Sequence, residues 1–213
     1  AMVHLHARGL CGRLTPELSR LEETVDYIRA ESDTIVEVST GGVSGLTIEE
    51  RCQPCYAPFV EATSLNVGSV NLGEAVYQNP IKDVRYCVEQ IINNHKIPEV
   101  EVFEVGMIHT TRQLSEQFNF VKPILFAIVL GHEGAMPRNV AALSTMIAGV
   151  YENFPNREDV LWGITEAHRE DFELVKTALD LGASTVRIGF EDSNYLRPGV
   201  QVDNKAVIVK EVA

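Results

Sequence analysis

The 213-residue sequence predicts an α/β fold, a (β/α)8 barrel whose first βα unit is missing from the chain. Three observations carry that expectation. Short β-branched runs alternate with longer amphipathic stretches from one end to the other. The alternation recurs at roughly 30 residues, the size of a βα unit. No G-x-G-x-x-G turn follows an early strand, as a dinucleotide-binding open sheet would require.

Strands are expected at Met2–His6, Thr34–Ser39, Ala62–Val67, Val100–Glu104, Ile124–Leu130, Val160–Ile164 and Thr185–Phe190. Helical stretches between them include Glu17–Ala30, Ile81–Asn94, Val140–Tyr151 and Arg169–Leu181. Pro16 and Pro80 stand where a helix begins, and Gly182 follows the end of one. These make seven strands, where a closed barrel needs eight. The sequence opens directly in a strand, at Ala1-Met2-Val3, and stops at Ala213 inside a helical stretch. The expectation is one domain over residues 1–213, part of a longer barrel.

A formal net charge of -12 argues against a nucleic-acid partner, whose recognition rests on cationic patches. It leaves room for an anionic metabolite, since a single arginine can hold a carboxylate. The longest apolar run, Ile124–Leu130, is far too short to span a bilayer, and no basic segment followed by an apolar one opens the chain. Cys52 and Cys55 form a C-x-x-C without the second pair of a zinc ribbon. With Cys11 and Cys87 they read as reduced thiols, which points to the cytoplasm.

The chemistry concentrates at strand ends. Side chains alternate faces along a strand, so His4 and His6 share one face and Val3 and Leu5 the other. Both histidines stand at a C-terminal strand end, where barrel enzymes place their catalytic groups. Two such imidazoles can converge on one ion, or serve as polar residues bonded locally. In the last strand Arg187, Gly189 and Glu191 share a face by the same alternation. Two His and one carboxylate have the composition of a catalytic zinc site with an open position; an Arg187–Glu191 ion pair that only staples the barrel is the other reading. Ser39-Thr40-Gly41-Gly42 ends a strand with hydroxyls and a turn whose N–H groups can cradle an anion. Ser64, Asn66 and Gly68 share a face, and Glu101 lies in a strand. His95 and His168 suit surface or capping roles, whereas His132, just past a strand, is placed to meet a substrate.

The segments Val3-His4-Leu5-His6-Ala7-Arg8, Val38-Ser39-Thr40-Gly41-Gly42, Ser64-Leu65-Asn66-Val67-Gly68-Ser69, Glu101-Val102-Phe103-Glu104 and Gly189-Phe190-Glu191-Asp192-Ser193-Asn194-Tyr195-Leu196 come in order. Together they resemble the β-keto acid cleavage enzymes over nearly the whole chain. The resemblance implies a zinc-dependent barrel enzyme, usually a homo-oligomer. Such an enzyme condenses a β-keto acid with acetyl-CoA and releases acetoacetate and a new acyl-CoA. It also implies His4, His6 and Glu191 as zinc ligands and Asp192, held by Arg187, as general base. Thr40, Gly41, Ser64 and Asn66 would contact the substrate, with Glu101 an acidic residue of the site. The segments Gly131–Pro137 and Gly163–His168 depart from the family pattern. Two other functions fit an H-x-H at a strand end. A metal-dependent hydrolase of amidohydrolase type would add a strand-end lysine, which is absent here; a non-catalytic metal- and ligand-binding barrel would not need Arg187 and Asp192.

Overall fold

The computed structural model describes residues 1–212. Seven parallel strands form one sheet in chain order: β1 (Met2–Leu5), β2 (Ile35–Val38), β3 (Ala62–Asn66), β4 (Ile97–Val102), β5 (Ile124–Leu130), β6 (Val160–Glu166) and β7 (Thr185–Arg187). The helices are α1 (Ser19–Glu31), the short α2 (Ile48–Arg51), α3 (Ile81–Asn93), α4 (Val105–Gln117), α5 (Val140–Asn153), α6 (Glu173–Asp180) and α7 (Lys205–Val212). Ala213, expected to continue the last helix, lies outside the described residues.

A doubly wound sheet reverses strand order at a switch point, and this one never does. Laid flat, its outer strands would stand roughly 29 Å apart at about 4.8 Å per spacing. Instead Glu191, beyond β7, lies 3.1 Å from His6, beyond β1. Arg187 on β7 likewise reaches Glu101 on β4 at 3.3 Å. The sheet is therefore curled into a half-barrel. The expected barrel is met in its winding and curvature but not in closure. Among the described residues β1 pairs only with β2, and β7 only with β6.

Alternation decides which side chains meet the helices. Val3 and Leu5 pack with Val36 and Val38 of β2 against Leu21 and Val25 of α1. Val100 and Val102 of β4 join Val88 and Ile91 of α3 and Ile108 of α4 in the main core. Each such buried side chain contributes about 1.5–3 kcal/mol. The registers place the alternate residues on the other face, among them His4, Glu37, Ala62, Ser64, Asn66, Glu99, Glu101, Ala127, Gly163, Thr165 and Arg187, with Leu125 and Val129 of β5 beside them. Barrel interiors are ordinarily filled by Val, Ile and Leu. Away from β5 the buried residues of this concave face are small, polar or charged, so the buried acids there serve something other than packing.

Several boundaries differ from the periodicity. β4 begins at Ile97 and runs through Pro98, second in the strand and tolerated near a strand start. Glu104 is not strand but the N-cap of α4, accepting from the Gly106 N–H at 2.9 Å. α6 starts only at Glu173, whose N–H is bonded by the Asp171 carboxylate at 3.0 Å. β7 stops at Arg187 because the N–H groups of Asp192 and Ser193 both turn back to the Gly189 carbonyl. Two hairpins escaped the sequence pattern, Val70–Leu72 with Ala75–Tyr77 and Tyr195–Arg197 with Val200–Gln201. Their strands are too short to show alternation, and Gly73 and Gly199 close them at positive φ. His95 closes α3 in the left-handed region, the capping role its position suggested.

All four cysteines are free thiols. Cys52 is held up at about 12, chiefly by its hydrogen bond with Cys55, and is inert as a nucleophile. No helix among the described residues is long and apolar enough to cross a membrane.

Candidate functional site

At the C-terminal end of β1 the two imidazoles converge as alternation predicts, with Nε2 atoms 3.3 Å apart. Glu191 arrives from the turn after β7, not by strand alternation, and completes the group. Its Oε1 is 3.1 Å from His6 Nε2 and its Oε2 is 3.8 Å from His4 Nε2. A tetrahedral zinc with ligand arms of about 2.1 Å has ligand–ligand edges of about 3.4 Å. The three observed separations straddle that length, so the donor set fits the metal in both chemistry and spacing. Burial opposes ionisation of Glu191, yet the His6 bond and the Arg187 charge hold its carboxyl at about 2. The surrounding charge has the same sense. Glu37, Glu101, Glu191 and Asp192 stand near a single guanidinium, that of Arg187, which pairs directly with Glu101 and Asp192, so this part of the concave face carries excess negative charge that a cation would offset.

Beside this group Arg187 clamps Asp192 with a two-pronged fork, Nε to Oδ2 at 3.1 Å and Nη2 to Oδ1 at 2.6 Å. Its Nη1 donates to Glu101 Oε1 at 3.3 Å, and Asn66 Nδ2 donates to the other Glu101 oxygen. Burial alone would lower the Arg187 pKa, but Asp192 and Glu101 raise it well above the usual value. Asn66, Glu101, Arg187 and Asp192 thus form one chain from β3 to the turn after β7. The backbone carbonyl of Asp192 also accepts from the His168 N–H at 3.0 Å.

The third part lies at the end of β2. Thr40 is almost wholly buried, its N–H bonded to Ser64 Oγ at 3.2 Å and its hydroxyl to the Ser64 carbonyl at 2.7 Å. The hydroxyl also meets Cys87 of α3, so the Thr40 side chain faces the helices and only its backbone faces the site. The Gly41 N–H is taken by Ser39 Oγ at 3.1 Å. A Cβ on Gly41 would lie 1.6 Å from the Tyr77 hydroxyl oxygen, so only glycine fits there. Arg51 locks the turn from behind, donating to the Thr40 carbonyl at 2.9 Å, Tyr77 OH at 3.1 Å and Asn79 Oδ1 at 2.6 Å.

Of the ten residues that the sequence singled out, the structure joins His4, His6 and Glu191 in one group, Asn66, Glu101, Arg187 and Asp192 in a second, and Thr40 and Ser64 in a third, with Gly41 next to Thr40 in the same turn. It adds two that the sequence reading passed over. Glu37 on β2 bonds His4 Nδ1 at 3.1 Å and is fully buried. Glu99 on β4 is also buried, and its carboxyl is raised well above the usual range, first by burial and then by the charges of Glu37 and Glu101. The signal for both was an acid alternating with valines in an apolar strand, Val36-Glu37-Val38 and Glu99-Val100. His132 stacks 5.8 Å from Phe103 and 6.1 Å from His168, and burial lowers its pKa. A cavity of about 260 Å³ lies elsewhere, between Phe118, Phe154 and the start of β5, and contains none of these residues.

Comparison with known proteins bears on this arrangement. The family described as beta-keto acid cleavage enzyme matches residues 1–213. The 3-keto-5-aminohexanoate cleavage enzyme of Fusobacterium nucleatum is 30% identical over 215 residues, covering 100% of this chain and 75% of its own length. The 3-oxoadipate:acetyl-CoA acetyltransferase of Cupriavidus necator is 27% identical over 213 residues, with 100% and 73% covered. Among solved structures, the binary complex of ObcA with oxaloacetate superposes with a TM-score of 0.70 at 19% identity. That likeness covers 91% of this chain but only 53% of the other, and it speaks to the fold alone.

Proposed function

Because this chain belongs to the beta-keto acid cleavage enzyme family, we propose that it transfers the acyl group of a small β-keto acid to CoA, with acetyl-CoA as co-substrate and acetoacetate as the second product. The observation that carries this reading is one juxtaposition. A donor set spaced for a tetrahedral ion stands beside a carboxylate gripped by a bidentate guanidinium. Relatives whose names specify an oxo acid and acetyl-CoA support the substrate class.

In this proposal His4, His6 and Glu191 hold zinc, which when bound supplies Lewis-acid polarisation of the keto group and stabilises developing negative charge. Asp192 is the general base and takes a proton from the carbon between the keto and carboxylate groups. The Arg187 fork occupies one lone pair on each Asp192 oxygen and leaves one free, so the base is aimed without being consumed. Glu101 and Asn66 hold Arg187 in turn. The substrate carboxylate is received by Ser64, Asn66 and the main-chain N–H groups of Thr40 and Gly41, which exchange their present partners Ser64 Oγ and Ser39 Oγ for it.

The deprotonated carbon attacks the thioester carbonyl of acetyl-CoA, forming a carbon–carbon bond and breaking the carbon–sulfur bond. The released thiolate then attacks the original keto carbon. Cleavage of the bond between that carbon and its α-carbon gives the new acyl-CoA, and the proton held by Asp192 returns to acetoacetate. Atoms and electrons balance without an external oxidant.

The test is an assay of the protein with zinc, acetyl-CoA and a panel of β-keto acids, following acetoacetate. Acetoacetate that needs acetyl-CoA and vanishes with a chelator is the expected result. A zinc-loaded protein that releases none from any acid overturns the reaction.

A further inference from the structure

The histidine pair is not held symmetrically. His6 Nδ1 is buried without a partner among the described residues, whereas His4 Nδ1 meets Glu37 Oε2 at 3.1 Å. The contact follows from the fold: His4 of β1 and Glu37 of β2 are register partners, so alternation puts both on the concave face side by side. Glu37 has Ala62 as its partner on β3, and Ser64 of β3 is paired with Glu99 of β4. Over the small residues of β3 the carboxyl groups of Glu37 and Glu99 converge from either side, each with one buried oxygen unpartnered among the described residues.

Burying carboxylates where a barrel normally packs Val, Ile or Leu costs stability. An apolar residue in place of Glu37 would be the cheaper solution if the position served packing alone. Resting on the zinc reading above, we propose that Glu37 is a positioning residue for the metal site. Its carboxylate accepts the Nδ1–H of His4, which fixes the ring orientation and the tautomer whose Nε2 lone pair points to the site shared with His6 and Glu191. A metal-bound histidine whose other nitrogen is bonded to a carboxylate is a stronger and better aimed ligand, and losing such a partner typically weakens metal binding about 10–100-fold.

The experiment measures zinc affinity and stoichiometry by competition with a chromophoric chelator, and thermal stability of the metal-free protein, for the wild type, Glu37→Gln, Glu37→Met and His4→Ala. Glu37→Met keeps the volume without a charge, in case Glu37→Gln folds poorly. The expected result is a roughly 10–100-fold loss of zinc affinity in both Glu37 variants, with metal-free stability equal to or above that of the wild type. Unchanged zinc affinity in the Glu37 variants, with affinity lost in His4→Ala, overturns the inference and leaves the zinc site standing. Unchanged affinity in His4→Ala overturns the zinc site itself, and the role of Glu37 with it. Two bound ions in the wild type, one lost and the other unaffected in Glu37→Gln, would make Glu37 a ligand of its own ion and overturn the positioning role.

Discussion

Arg187 and Asp192, five residues apart, are joined by two nearly parallel N–H···O bonds of 3.1 and 2.6 Å, although β7 ends at the arginine. The turn at Gly189 folds the chain back so that the last strand residue grips the residue proposed as the base.

That grip sets the first prediction. Asp192→Asn keeps the shape of the turn but cannot take a proton, so turnover should fall by about 10²–10⁴-fold with zinc content unchanged. Arg187→Lys retains the charge and loses the fork; a base misplaced by about 1 Å should cost kcat on the order of 100-fold. Steady-state kinetics with metal analysis checks both, and an undiminished rate in Asp192→Asn removes it as the base.

Ligand removal separates the metal from the base. His4→Ala or Glu191→Ala should lose zinc and activity together, because three donors about one tetrahedral edge apart leave too few when one goes. Elemental analysis showing full zinc occupancy in both variants would sink the ligand assignment.

Gly41→Ala should raise the KM for the keto acid and cost about 1–3 kcal/mol of stability, since its Cβ would sit 1.6 Å from the Tyr77 hydroxyl oxygen. In the double variant with Tyr77→Leu the two effects should not add, because the clash has lost its second partner. Full additivity, read from thermal unfolding and KM, would show that the contact does not shape the turn.

Glu166 at the end of β6 gives a pH prediction. It is buried, and desolvation raises its carboxyl to about 7 against the opposing charges of Arg138 and Arg169. A carboxyl raised in the folded state binds more protons folded than unfolded. Its protonated form is therefore fully compatible with folding below about pH 4.5, and stability is lost as pH rises through about 7. Glu166→Gln removes that loss. The variant should match the wild type near pH 4.5 and exceed it above pH 7 by on the order of 3 kcal/mol. Urea unfolding at several pH values measures the difference; a gap independent of pH contradicts it.

Much of the site was legible because its residues sit where local rules apply. His4 and His6 share a face by alternation alone, and β5, buried on both faces, announces itself as a continuous apolar run. Thr40 shows the limit. Its place at the end of β2 was readable, but the Ser64 carbonyl and Cys87 turn its hydroxyl toward the helices, and those partners come from distant segments. Glu191 reached the site by a turn that alternation could not foresee.

By itself, then, the sequence determined the strand–helix alternation, the face each strand residue takes and the donors available at strand ends, because short-range sterics and hydrophobic periodicity set them. Only the tertiary structure decided that His6 and Glu191, 185 residues apart, lie 3.1 Å from each other, and that Glu37 backs His4. Those contacts depend on how far the sheet curls and which strands become neighbours. That is settled by the packing of all the helices on its convex face together, not by any one segment.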